Sequence, residues 1–139
     1  MIHINILAVL VAAVAAFFIG FMFHGPLLGK VWMRLAKITP TGKEKLSDMT
    51  GQIFANFFSN FVSAYILAII YLFARGSGVI GGSELWIGLI SGFLVWLGFI
   101  ATSTATDVIW MGKSRDLWLF ECGSNLVIML AMGAIISIW

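Results

Sequence analysis

Four long apolar stretches, at about 4–23, 52–73, 86–110 and 118–139, alternate with shorter polar connections. Each has about 20 residues or more, and a helix of that length, rising ~1.5 Å per residue, crosses a hydrocarbon core of ~30 Å. The pattern predicts an all-α integral membrane protein with four transmembrane helices in a single domain over residues 1–139. In the first run Ala8, Ala12, Ala16 and Gly20 recur every four residues. Such a small-residue stripe lets another helix come close, either inside the bundle or across a homo-oligomer interface.

The first connection has a pattern of its own. Pro26 lacks an N–H and suits the first turn of a new helix, and Gly25 frees the backbone to turn before it. Leu28, Val31, Trp32 and Leu35 then fall at i, i+3, i+4 and i+7, with Lys30, Arg34 and Lys37 on the opposite face. This spacing predicts a short interfacial amphipathic helix over about 27–37, lying along the membrane surface. Its basic stripe would meet anionic head groups, at ~1 kcal/mol per cation near such a surface. Thr39-Pro40-Thr41-Gly42 reads as a turn. Thr41 and Glu44 have the spacing of a capping box, which would start the second long helix near Gly42.

The polar edges fix an orientation. Trp86 and Trp110 bracket the third run and Trp118 and Trp139 the fourth, as an interfacial aromatic belt would. The 24–51 connection holds five Lys and Arg and the 112–116 turn two, against Arg75 alone in the 74–85 loop. That asymmetry predicts a protein of the cell (inner) membrane with both termini outside the cytoplasm.

Composition agrees with the pattern. The chain is 61% hydrophobic and 10% charged, far from the ~25% charged residues of a soluble domain. Residues 1–5 contain no Lys or Arg, and the run that follows is longer than the apolar core of a signal peptide, so it is read as a retained span. Cys122, the single cysteine, cannot form an intrachain disulfide and reads as a small packing residue. A formal charge of +2 gives no reason to expect nucleic acid.

Three segments carry a resemblance. Gly-Pro-Leu-Leu-Gly-Lys-Val-Trp-Met at 25–33, Gly-Phe-Leu-Val-Trp-Leu-Gly-Phe-Ile-Ala-Thr at 92–102 and the closing Met-Gly-Ala-Ile-Ile-Ser-Ile-Trp at 132–139 occur in that order. Together they resemble a family of small, mostly bacterial membrane proteins known as domain of unknown function 1761. The resemblance covers almost the whole chain and implies a four-span fold, with no activity attached. Relatives commonly have an aromatic and a serine before the proline, where this chain has His24 and Gly25.

Polar groups inside a membrane are expensive unless paired, which makes them the first place to look for chemistry. His24 ends the first span; Asn56, Asn60 and Ser63 lie on the second, with Ser59 adjoining. Thr102, Thr106 and Asp107 close the third, and Glu121 and Asn125 open the fourth at i and i+4. His24, Asn56, Asn60, Thr106, Asp107, Glu121 and Asn125 are therefore expected at one depth, as a candidate polar cluster. Three readings stay open. The cluster can be a helix-packing network, in which Asp107 pairs with a nearby cation and Glu121 favours a helix N-terminus. It can line a path for a proton, ion or small solute. Or His24, Asp107 and Glu121 can form a metal or acid–base site, although two histidines make a poor ligand set.

No H-E-x-x-H, C-x-x-C, Walker loop or G-x-S-x-G occurs. The glycines of 76–82 lie in a short loop and not between a strand and a helix, so they cradle no phosphate. The first span lacks the glutamate that small four-span multidrug exporters use for proton exchange. The sequence therefore predicts a non-catalytic bundle, with no cofactor and no catalytic or metal residues, that binds lipid, a small ligand or a protein partner. The alternative is an oligomer that conducts a proton, ion or small solute through the polar cluster.

Overall fold

In a computed structural model that describes residues 3–42 and 49–139, six α-helices follow one another. They are α1 (Ile6–His24), α2 (Gly29–Ala36), α3 (Thr50–Ser77), α4 (Glu84–Val95), α5 (Thr102–Trp110) and α6 (Arg115–Ile138). No strand forms among the described residues. α4 and α5 are two halves of one long helix, joined through a π-helical segment at Trp96–Ala101. Four helices are thus long and apolar enough to cross a membrane: α1, α3, Glu84–Trp110 and α6. Their bounds run two or three residues beyond the apolar runs at several ends, because polar caps and first-turn residues belong to the helix and not to the hydropathy.

Caps explain several of those ends. Asn5 Oδ1 accepts from the backbone N–H groups of Leu7 and Ala8 at 3.0 and 3.2 Å and so starts α1. Ser83 Oγ accepts from Trp86 N–H at 3.3 Å and starts α4, with Glu84 in the first turn. The capping box expected at Thr41 and Glu44 involves a residue outside the described ones; within them α3 begins at Thr50.

α6 is the centre of the bundle and packs on α1, α3 and α4. The core gathers Val9, Ala12, Ala13 and Ala16 from α1 with Ala64, Leu67, Ala68 and Tyr71 from α3. Ile128, Met129, Met132 and Ile136 of α6 fill the space between them. Ala8, Ala12 and Ala16 are buried inside the chain's own bundle, and Gly20 faces Ile128 Cδ1. The stripe on α1 therefore serves packing within the chain.

The closest approach lies elsewhere. Along α4 and α6 the backbones themselves touch: a methyl group on Gly88 would collide with the Gly133 carbonyl and lie 2.5 Å from Ser137 Cβ. A methyl on Gly92 would strike the Met129 carbonyl, and one on Gly133 the Gly88 carbonyl. Gly88 and Gly92 are four residues apart, the small-xxx-small spacing that lets membrane helices pack at backbone distance. Ser91, buried in this seam, donates to its own helix at the Ile87 carbonyl, 2.8 Å away, and leaves no polar atom unpaired.

Candidate functional site

The end of α1, the start of α3 and the first half of α6 enclose a cleft of about 430 Å³. Its polar wall is His24, Gln52, Asn56, Asn60, Ser124 and Asn125; Phe17, Phe21, Ile53 and Ile128 are among the residues of the apolar wall. His24 is placed by the break that follows it. α2 folds back so tightly that a methyl on Gly29 would sit 2.9 Å from the His24 carbonyl. That return brings Trp32 edge-on to the imidazole at 5.2 Å between ring centres, with Phe120 on another side at 5.7 Å. His24 Nδ1 lies 3.0 Å from the Gly20 carbonyl, which can only accept, so Nδ1 carries the hydrogen. In the neutral ring Nε2 is then an acceptor with no partner among the described residues.

The amides are also incompletely paired. Asn60 Nδ2 donates to Asn56 Oδ1 at 3.3 Å, one helical turn away, and Asn125 Nδ2 donates to the Glu121 carbonyl at 2.8 Å. Among the described residues, Asn56 Nδ2, Asn60 Oδ1 and Asn125 Oδ1 hold no hydrogen bond. Ser124 Oγ, almost fully buried, donates to the Glu121 carbonyl at 2.9 Å.

The other expected members of the cluster lie outside the cleft. Lys113 Nζ sits 2.5 Å from Glu121 Oε2 and 3.8 Å from Asp107 Oδ2. It ties the turn between α5 and α6, while the Asp107 carbonyl accepts from the N–H groups of Met111 and Lys113 at 3.1 Å each. Thr106 Oγ1 donates to the Ser103 carbonyl of its own helix. Four of the seven residues line the cleft and three do not. Thr106 and Asp107 lie apart because α5 packs on α6 and the π-helical segment but on neither α1 nor α3, and Glu121 pairs with Lys113. Asp107 pairs with a cation, as the packing reading expects. His24, Asp107 and Glu121 do not come together, and no group of three or more metal-ligating side chains forms among the described residues.

Lys30, Arg34 and Lys37 are exposed on α2, while Val31, Trp32 and Leu35 are half-buried. Lys37 ends the helix in the left-handed region at φ 56°, the position where glycine is usual.

The opposite end of the bundle holds a polar group that the sequence reading missed. Tyr71 Oη donates to Glu84 Oε2 at 2.5 Å, and Arg75 Nε lies 2.9 Å from Glu84 Oε1. A smaller cavity of about 270 Å³ adjoins them, lined also by His3, Asn5 and Ser137. One signal was available: Arg75 and Glu84 are the only charged residues of the 74–85 loop. Here Tyr71, Arg75 and Glu84 are partners of one another.

A model of the family described as protein of unknown function (DUF1761) matches residues 7–137, which include nearly all of the four long helices. The chain belongs to the DUF1761 family. No curated protein and no solved structure matches it. The segments that carry the DUF1761 resemblance coincide with structural junctions. Residues 25–33 make the turn into α2, 92–102 span the π-helical segment, and 132–139 bring Gly133 into the seam with α4.

Proposed function

We propose that the protein is a membrane-embedded, non-catalytic binding protein that takes the polar head of an amphiphile into the cleft between α1, α3 and α6. The observation that carries this reading is that amide and imidazole atoms with no partner among the described residues share one cavity with an apolar wall. Asn56 is exposed and His24, Asn60 and Asn125 are half-buried, so their open polar atoms are accessible in the cleft, and beside Phe17, Phe21 and Ile53 they suit a ligand that is polar at one end and apolar along its length. α2 supports the reading from outside. Its exposed Lys30, Arg34 and Lys37, opposite half-buried Val31 and Leu35, suit an amphipathic helix lying at the head-group level. The excess of Lys and Arg in the same connection favours placing this end of the bundle in the cytoplasmic leaflet.

Replacing Asn56 and Asn60 together with Leu removes hydrogen-bonding capacity while keeping side-chain size. Lipid extracted from the purified wild-type protein should contain an enriched amphiphile that is depleted from the double variant, with helix content by circular dichroism unchanged. Identical lipid profiles from the two folded proteins would overturn the proposal. A changed proton or solute flux through liposomes carrying the variant would favour conduction instead.

A further inference from the structure

We infer that the groove between α5 and α6 seats one acyl chain of a phosphatidylethanolamine-type lipid, with the phosphate at Arg115 and the ammonium at Asp116. This contact is separate from the cleft between α1, α3 and α6 and does not depend on it. The groove is the cavity of about 300 Å³ lined by Ala105, Val108, Ile109, Arg115, Trp118 and Leu119. Apart from Arg115 its lining is apolar, because Trp118 commits its one donor, Nε1, to Thr104 Oγ1 at 3.1 Å. Both of its walls belong to helices long and apolar enough to cross a membrane, so lipid chains are what reaches it. At about 30 Å³ for each water-sized group, the groove takes roughly ten such groups, the upper part of one acyl chain.

Charge selects the head. Arg115 is the first residue of α6, is exposed, and has no carboxylate partner among the described residues. A cation at the N-terminal end of a helix opposes the helix dipole, so α6 itself does not favour it there. Its methylene stem can follow the apolar groove while the guanidinium stays at the mouth, placed to take two oxygens of a phosphate. The neighbouring cation, Lys113, is already held by Glu121 and Asp107. Asp116 follows Arg115, is exposed, and likewise enters no ion pair among the described residues. Consecutive residues of a helix do not face each other, which leaves two opposite charges side by side and unpaired. A head carrying one phosphate and one primary ammonium answers both. A phosphatidylglycerol head would satisfy Arg115 but bring its negative charge beside Asp116 with no cation to offset it. A choline head has no N–H to donate to the Asp116 carboxylate.

The test is a competition read by native mass spectrometry on the full chain, released from phosphatidylcholine nanodiscs. The discs contain equal amounts of phosphatidylethanolamine, phosphatidylglycerol and diacylglycerol, all with the same acyl chains. Phosphatidylethanolamine should be retained roughly three- to fivefold above its share of the disc and above both competitors, as exposed ion pairs would give. Arg115→Gln should bring both phospholipids down to the level of diacylglycerol. Asp116→Asn should leave the two phospholipids equal and both above diacylglycerol. Ala105→Leu, which fills the groove without touching either charge, should lower retention of all three. An unchanged ranking in Arg115→Gln, or unchanged retention in Ala105→Leu, would overturn the site. Preference for phosphatidylglycerol in the unaltered protein would overturn the zwitterionic head, and diacylglycerol retained as well as phosphatidylethanolamine would overturn phosphate recognition. Asn56→Leu with Asn60→Leu should leave the preference intact; its loss there would move the lipid to the other cleft and overturn the groove. A dimer of the unaltered protein that Ala105→Leu splits would show that a second copy, not lipid, covers the groove. The ranking in the unaltered protein tests the head group without relying on any variant to fold.

Discussion

Between Glu84 and Val95 the third span lies against α6 backbone to backbone, whereas between Thr102 and Trp110 the same span buries no residue. In the first half the contact is made by missing side chains at Gly88, Gly92 and Gly133. In the second half it is made by side chains that reach across. Trp118 Nε1 donates to Thr104 Oγ1 at 3.1 Å, and Lys113 holds Asp107 and Glu121. A cavity of about 300 Å³ opens between the helices there, lined by Val108, Ile109 and Leu119 among others. The change occurs at the π-helical segment. There Thr102 N–H reaches back five residues to the Leu97 carbonyl, and Trp96 Nε1 donates to the Cys122 carbonyl of α6 at 2.8 Å. One helix pair can thus be keyed rigidly at one end and held at arm's length at the other. The polar cluster divides for the same reason, because α4 packs on α3 while α5, which carries Thr106 and Asp107, does not.

The strongest way to break this contrast is to add one methyl group to the keyed half. Gly92→Ala places a Cβ against the Met129 carbonyl, with the Met129 carbonyl carbon 3.0 Å away and no flexible side chain to give way. Overpacking a core typically costs ~1–3 kcal/mol, and a backbone collision belongs at or above the upper end of that range. The variant should lose the cooperative thermal transition of the wild type in detergent, or show it at a much lower temperature. Gly133→Ala should behave alike. A wild-type melting profile would mean that α4 and α6 are not in backbone contact.

Much of this architecture was legible in advance. Four spans, the break at Gly25-Pro26 and the short helix after it follow from hydropathy and from proline's missing N–H, which are local properties. The seam is not singled out by sequence, although Gly88-x-x-x-Gly92 is plain in it, because the alanine stripe on α1 is equally regular. Both stripes pack inside the bundle; choosing the tighter one needs the relative rotation of α4 and α6, which no single helix encodes. The candidate site was half legible for a similar reason. Depth along a helix can be counted in residues, and His24, Asn56, Asn60 and Asn125 do share a cleft. Azimuth past the π-helical segment cannot be counted that way, because the extra residue in its turn rotates everything after it. Depth alone therefore leaves open whether Asp107 faces His24 or, as it does, Lys113. Tyr71 was overlooked because a lone tyrosine in an apolar run has no periodic signature.

The hinge between the two halves can be sharpened by removing one hydrogen bond. Trp96→Phe keeps an aromatic ring beside Phe93, whose centre lies 5.7 Å from that of Trp96, and deletes the donor to the Cys122 carbonyl. A neutral hydrogen bond contributes ~0.5–1.5 kcal/mol, with membrane proteins toward the lower figure. The melting temperature should fall slightly. The informative measurement is backbone hydrogen exchange: amides of 102–110 should exchange faster than in the wild type while those of 84–95 stay as they were. Equal acceleration in both halves would show that Trp96 supports the whole span and not its hinge.

The smallest effect is also the sharpest test of the comparison, because it uses the same substitution with the opposite expected sign. A methyl group on Gly98, six residues after Gly92 and beyond the start of the π-helical segment, would meet nothing within 4 Å. Gly98 is exposed on the outside of the bundle, so Ala there gains helix propensity without a collision. Glycine in a helix interior is less favourable than alanine by ~0.5–1 kcal/mol, and Gly98→Ala should raise stability by about that amount. The rise would be small but opposite in sign to the loss expected for Gly92→Ala, measured in the same detergent on the same day. A loss at Gly98 comparable to that at Gly92 would mean that this open face packs against a second chain. The slack of the α5 half would then belong to the isolated bundle and not to the protein as it works in the membrane.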